Sequence, residues 1–162
     1  MSIKTPWQLV GRTVILFSGS RSIRSYWAVS ALLRERLAGL NKEEVVLLQG
    51  EAYHGVDRLV RIFAKRNGWR CVGWPADWDN LGRKAGHVRN SAMLMHAHRL
   101  IAIWDSESKG TANAIKTCDS LKKPYEVHEL PASPDWEDKN INDIARRKVF
   151  NDKARSKLLI RG

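Results

Sequence analysis

The chain has 162 residues, 43% of them hydrophobic, which suits one packed domain with an appendage and excludes wholesale disorder. Its apolar runs, such as Val14 to Phe17 and Val45 to Leu48, fall far short of the roughly 20 residues that span a bilayer. The N-terminus also lacks the pattern of a secretory signal, so no membrane partner and a cytoplasmic location are expected. The formal net charge of +11 is concentrated in residues 58–99, with 9 Lys/Arg against 2 Asp/Glu, and in residues 140–162, with 7 against 2; such asymmetry favours a polyanionic partner, from nucleotide to nucleic acid.

In chain order, "TVILFSGS" is a short apolar run broken by Ser-Gly-Ser and predicts a buried strand ending in a turn. Val29, Leu32, Leu33 and Leu37 then recur at helical spacing within about Ile23 to Leu40, with Gly39 and Asn41 as a stop. "EVVLLQG" repeats the strand and glycine, and Val56, Leu59, Val60, Phe63 and Ala64 mark one face of a second helix ending at Asn67-Gly68. "RCVGWP" is a third strand, stopped by Pro75 and followed by a loop and a helix from about Gly86 to His98. "RLIAIWD", "KGTANAIKTCDSL" and "YEVHEL" complete the series as strand, helix and strand.

Five strands alternating with four helices predict a Rossmann-like α/β domain, a parallel sheet with helices on both faces. The expected division is a domain over residues 1–130 and a basic C-terminal helical extension over 131–162. Within the extension Ile141, Ile144, Ala145 and Val149 allow an amphipathic helix that would pack on the domain, form a homo-oligomer or bind polyanion. Cys71 and Cys118 lie in apolar segments without CxxC spacing and read as small core residues. His96 and His98 point in different directions on a helix and there is no HExxH, so neither a metal nor any other cofactor is expected.

In an open parallel sheet the ligand lies beyond the carboxyl ends of the strands, where helix N-termini present free N–H groups. Four loops fall there: Ser18-Gly19-Ser20-Arg21, Gly50 to Asp57, "PADWDNLGRKAGHVRN" from Pro75 to Asn90, and Asp105 to Thr111. Gly110-Thr111 reads as half of a phosphate cradle, and its joint occurrence with Gly19-Ser20-Arg21 at equivalent strand ends points to a phosphate site. Neither GxxxxGK[ST] nor GxGxxG is present. Arg89 and Asn90, in the first turns of their helix, suit a phosphate and a base or ribose, or else an ion pair with Asp77 or Asp79 that pins the loop. Lys109 is read either as a cation beside the phosphate or as a solvated lysine. Trp78 and Trp104 lie near the mouth of the site, where stacking on a base and packing in a loop are equally open.

"FSGSRS", "GEAYHGVDRL", "PADWDNLGRKAGHVRNSAML", "LIAIWDSESKGTANAI" and "KPYEV" together resemble, over about residues 13–128, the YspA-like branch of the SLOG superfamily. That superfamily also includes the DNA-processing protein DprA and the LOG phosphoribohydrolases. The resemblance implies a Rossmann-like fold and a phosphorylated nucleoside or nucleotide-derived ligand, of the ADP-ribose or NAD kind, bound by a sensor, a sequestering protein or an N-glycoside hydrolase. Carried over residue by residue, it implies ligand contacts at Gly19, Ser20, Arg21, Gly50, Gly55, Asp57, Asp77, Trp78, Gly86, Arg89, Asn90, Gly110 and Thr111.

Two departures stand out. The second loop is one residue longer than the usual Gly-Gly-Ala-Arg-Gly-x-Asp and has His54 where arginine is common. The LOG motif Gly-Gly-x-Gly-Thr-x-x-Glu ends here in Ala114, which removes the glutamate that such hydrolysis needs. Asp105 is the best placed substitute for a catalytic carboxylate, with Asp57 and Asp77 next, although each reads equally as a helix cap or a partner for an arginine. The alternative function is a DprA-like single-stranded nucleic-acid binder using the basic surface and tail, but the sequence shows no row of aromatics among the basic residues.

Overall fold

The structure of the protein, a computed structural model, describes residues 6–133. Five parallel strands, β1 (Thr13–Gly19), β2 (Val45–Gln49), β3 (Arg70–Gly73), β4 (Arg99–Trp104) and β5 (Tyr125–Glu129), form one sheet in the order β3-β2-β1-β4-β5. The Rossmann-like α/β architecture expected from the sequence is the one observed. The expected extension, with Ile141 to Val149, lies beyond the described residues apart from its first three.

Strand side chains alternate between two cores, as the two-residue period of a strand requires. Ile15, Phe17, Val45, Leu47, Ile101 and Ile103 face one layer, whereas Val14, Leu16, Val46, Leu48, Leu100 and Ala102 face the other. The first core is closed by α1 (Tyr26–Leu37) and α2 (Val56–Asn67), through Val29, Leu33, Leu59 and Phe63. The second is closed by α4 (Ala85–His96) and α5 (Lys109–Ser120), through Met93, Leu94, Ala114 and Cys118. Because β1 and β4 are neighbours whose following helices lie on opposite faces, a crevice opens beyond their carboxyl ends, the usual ligand position of an open α/β sheet.

The helix boundaries follow local chemistry. Ser25 caps α1 by accepting from the Ala28 N–H at 3.4 Å, and Gly68 ends α2 in the left-handed conformation with φ +72°. Between β3 and α4 the chain adds a single turn, α3 (Trp78–Leu81), and a 3₁₀ turn at Gly82–Lys84, where the sequence predicts only a loop. Four residues carry no apolar period; the turn is held by Asp77, whose carboxylate accepts from the Asn80 N–H at 3.2 Å. Lys123 closes the other end of α4, donating to the carbonyls of Leu94, Met95 and Ala97.

Cys118 is buried, Cys71 is partly buried, and both are free thiols; burial pushes the Cys71 thiol up to about 11, so it is no nucleophile at neutral pH. Among the described residues no cluster of His, Cys, Asp and Glu is arranged to hold a metal, and no helix is long and apolar enough to cross a membrane.

Candidate functional site at the sheet switch point

A cavity of about 290 Å³ occupies the crevice beyond β1 and β4. It gathers residues from four loops and helices: Gly19 and Arg21 after β1, Gly50 and Asp57 around the loop after β2, Arg89 and Asn90 on α4, and Asp105, Gly110 and Thr111 after β4. The convergence expected from the sequence is thus present in space.

Two glycines allow the β1 and β2 loops to meet. A methyl group on Gly19 would stand 2.3 Å from the buried Val56 side chain, so the approach of β1 to the start of α2 needs its absence. Gly55, which precedes α2, has φ +81° and ψ −152°, a combination open essentially to glycine alone. Its neighbour Val56 donates its N–H to the Ser20 carbonyl at 3.3 Å.

Asp105 joins the β1 and β4 loops. Its Oδ1 accepts from the Ser20 hydroxyl at 2.9 Å and from the backbone N–H groups of Glu107 and Ser108 at 3.0 and 2.8 Å. Its Oδ2 accepts from the Ser22 hydroxyl at 2.5 Å. Burial alone would raise its pKa, but the Ser22 hydroxyl, the two backbone donors and the Ser20 hydroxyl outweigh it and hold the carboxyl well below the usual range. Asp105 is therefore a fixed anion, poorly matched to carrying protons near neutral pH. Ser108, one of its donors, in turn caps α5 by accepting from the Thr111 N–H at 3.4 Å.

Asp57 behaves in the opposite way. Only 7% exposed, it has its carboxyl pushed above the usual 3.8 by burial, against the Ala52 N–H it accepts from and the charges of Arg89, Arg61 and Arg21. Arg89 donates to the Gly50 carbonyl at 2.9 Å, and a methyl on Gly50 would stand 3.0 Å from its guanidinium carbon. Burial lowers the Arg89 pKa, the Asp57 charge raises it and Arg21 lowers it further. Among the described residues neither Arg21 nor Arg89 has an ion-pair partner within 4 Å. Asn90 donates to the Gly110 carbonyl and to Asn113 Oδ1, both at 3.2 Å, and so ties α4 to the start of α5.

The remaining expected residues fall around this cavity. Ser20 is fully buried behind it, holding Asp105, and Gly55 lies beneath the Arg21 backbone. Trp78 lines an adjoining cavity, with Gly86 beside its ring. Asp77 caps α3, and Lys109 is exposed in the first turn of α5; neither is among the residues lining the two cavities. Trp104 donates its indole N–H to the Ser108 carbonyl of its own loop at 3.0 Å. Ala114, which stands at the LOG glutamate position, is fully buried in the second core. Sequence reasoning missed Ser22 and Ser108, although the serines flanking Arg21 and those following Asp105 are a visible signal for polar turns, Ser22 giving a hydroxyl donor and Ser108 a backbone N–H and a helix cap.

The sequence model of the YspA, cpYpsA-related SLOG family matches residues 13–80. Over those residues the chain is similar to the YspA-like branch of the SLOG superfamily. No curated protein matches the sequence. Among solved structures, the fold of this chain is similar to that of DNA processing protein A from Helicobacter pylori, described for its single-stranded DNA binding mode, with TM-score 0.58 and 16% identity over 95% of this chain and 83% of that one. It is similar also to DprA from Streptococcus pneumoniae, with TM-score 0.53 and 16% identity over 91% and 62% of the two chains. The Moco carrier protein from Chlamydomonas reinhardtii matches with TM-score 0.55 and 17% identity over 93% and 98%. At these identities the likeness is one of fold. The matched family segment ends before Arg89, Asp105 and Gly110, so half of the cavity wall lies outside it.

Proposed function

We propose that this SLOG-like domain binds a phosphorylated nucleoside or nucleotide-derived molecule in the switch-point cavity, as a sensor or sequestering protein. The observation that carries the reading is the pairing of Arg21 and Arg89 on one cavity wall without ion-pair partners among the described residues. Two guanidinium groups facing a common space suit the oxygens of a phosphate or diphosphate. The start of α5, with Gly110 open to solvent, adds the positive end of a helix to the same space.

The chemistry favours binding over turnover. Asp105 is held ionised by four donors, and no carboxylate stands at the buried Ala114 position. Ligand incubated with the protein should be recovered intact; release of free base that stops in Asp105→Ala would instead establish the hydrolase.

A thermal-shift panel of NAD, ADP-ribose, cyclic ADP-ribose and nucleoside mono- to triphosphates tests the reading. A ligand at a hundred times its Kd should add about 2.7 kcal/mol of stability, and Arg89→Ala should abolish the shift. No stabilisation by any of them, together with tight binding of single-stranded DNA that weakens steeply with salt, would replace this reading with the nucleic-acid one.

A further inference from the structure

β5 ends the sheet, and among the described residues nothing pairs with its outer side. Its side chains are exposed or half-buried at every position, whereas those of its neighbour β4 from Leu100 to Ile103 are fully buried. Leu121, in the turn before β5, and Tyr125 and Val127 within it are large apolar side chains 44%, 40% and 38% exposed. An edge of this kind offers a row of unpaired N–H and C=O groups to another strand, and soluble proteins blunt it with charges, proline or a bulge. β5 holds no proline and runs in unbroken register along β4; what it carries is Glu126, His128 and Glu129. Whether these charges repel a second strand or receive one depends on the register in which that strand arrives.

The hydrogen bonds to β4 fix that register. The Leu100 N–H donates to the Pro124 carbonyl at 3.1 Å, and the Leu130 N–H donates to the Trp104 carbonyl at 3.0 Å. Because backbone groups alternate in direction along a strand, Glu126 and His128 also turn theirs towards β4, and Tyr125, Val127 and Glu129 turn theirs outward. An antiparallel partner must match outward residues with outward residues. For two copies related by a two-fold axis, the register that uses all three sets Val127 against Val127, Tyr125 against Glu129, and Glu126 against His128. The last pair lies between the hydrogen-bonded ones, where opposed Cα atoms approach to about 4.5 Å, and it brings a carboxylate to an imidazole twice over. Within one strand His128 Nε2 already stands 3.1 Å from Glu126 Oε2, and Arg36 of α1 stands 3.3 Å from the same oxygen. An imidazole has two ring nitrogens, so it can serve one carboxylate on each strand. In this register no like charges stand directly opposite each other.

We propose that the free edge of β5 docks a second copy of this chain, antiparallel about Val127, so that one continuous sheet runs through the dimer. The contact is isologous, the same strand serving on both sides, and it adds about six backbone hydrogen bonds, two for each outward pair. It is independent of what the switch-point cavity binds, and it makes no use of residues 134–162.

Sedimentation of the full chain from micromolar to sub-millimolar concentration tests it, and the wild type should pass from monomer to dimer over that range. Val127→Pro removes the central outward N–H from both copies without touching a bond to β4. It should weaken the dimer about a hundredfold while the melting temperature, measured alongside, stays close to that of the wild type. His128→Glu sets like charges opposite each other and should weaken the dimer about tenfold. The exchanged pair, Glu126→His with His128→Glu, should recover it. A wild type that is monomeric throughout overturns the proposal. So does a dimer that survives both Val127→Pro and His128→Glu, which would place the interface elsewhere, the basic tail included. A dimer that His128→Glu weakens and the exchange does not recover overturns this register, and the proposal with it.

Discussion

Gly55 lies so close under Arg21 that a methyl group on it would stand 2.4 Å from the Arg21 Cα and from the Ser20 carbonyl oxygen. Backbone, which cannot swing aside, occupies the space. Gly55→Ala should therefore combine that clash with a forbidden φ of +81° and cost about 3 kcal/mol or more. Gly110 is the contrasting case, since nothing lies within 4 Å of an added methyl and its φ is not positive. Gly110→Ala should leave the melting temperature within a degree or two while weakening ligand binding at the cavity. Thermal denaturation of the two variants side by side checks the pair.

Gly50→Ala should separate binding from stability in another way. The atoms an added methyl would meet belong to the end of the Arg89 side chain, which can move. The fold should survive with a loss of under about 1 kcal/mol, but Arg89 would be displaced from the cavity wall. Titration with a phosphorylated ligand should show a fall in affinity of about tenfold, approaching that of Arg89→Ala.

The two cavity carboxylates should act in opposite directions on stability against pH. Asp105 is more acidic folded than unfolded, so its contribution is complete above the ordinary 3.8 and is lost as pH falls below that value. Asp57 is less acidic folded, so its ionisation costs stability that is absent below 3.8 and grows as pH rises towards its folded value. Asp105→Asn should be destabilised at neutral pH by about 2–3 kcal/mol, with the deficit shrinking below about pH 4. Asp57→Asn should gain on the wild type as pH rises above about 4. Urea titrations between pH 3 and 7 measure both trends.

Lys123 offers a test remote from the ligand. Its ammonium meets the carbonyls of Leu94, Met95 and Ala97 at the end of α4, the helix that carries Arg89 and Asn90. Lys123→Met should cost about 1–2 kcal/mol through loss of a charged cap. The denaturant midpoint should fall with the slope unchanged.

The strands and long helices were legible because burial leaves a direct record in the sequence. Val14 to Phe17 and Val45 to Leu48 are apolar at every position because both faces of the sheet are covered. α3 left no such record, being a single turn held by the Asp77 side chain. Within the site, the positions of Arg21, Arg89 and Gly110 followed from the rule that ligands sit beyond strand ends. The role of Asp105 did not, because its hydroxyl donors Ser20 and Ser22 are 85 and 83 residues away in sequence. The adjoining cavity that Trp78 lines was hidden for a related reason: it depends on the path of the Glu51 to Gly55 loop, which is one residue longer than in the family that the chain resembles. Trp104, for which stacking and packing were equally open, donates its indole N–H to the Ser108 carbonyl of the loop that follows it.

The bond between Asp105 and Ser20 also bears on how the site comes into being. The turn after β1 is fastened on one side to Val56, on another to Asp105, and through Ser22, Arg24 and Ser25 to Ser133, 108 to 111 residues away. Contacts of such separation form only after long loops have closed. The pocket is therefore among the last features the chain can complete, and a fragment ending at residue 80, however well its first strands pair, would contain Arg21 and Asp57 with no site between them.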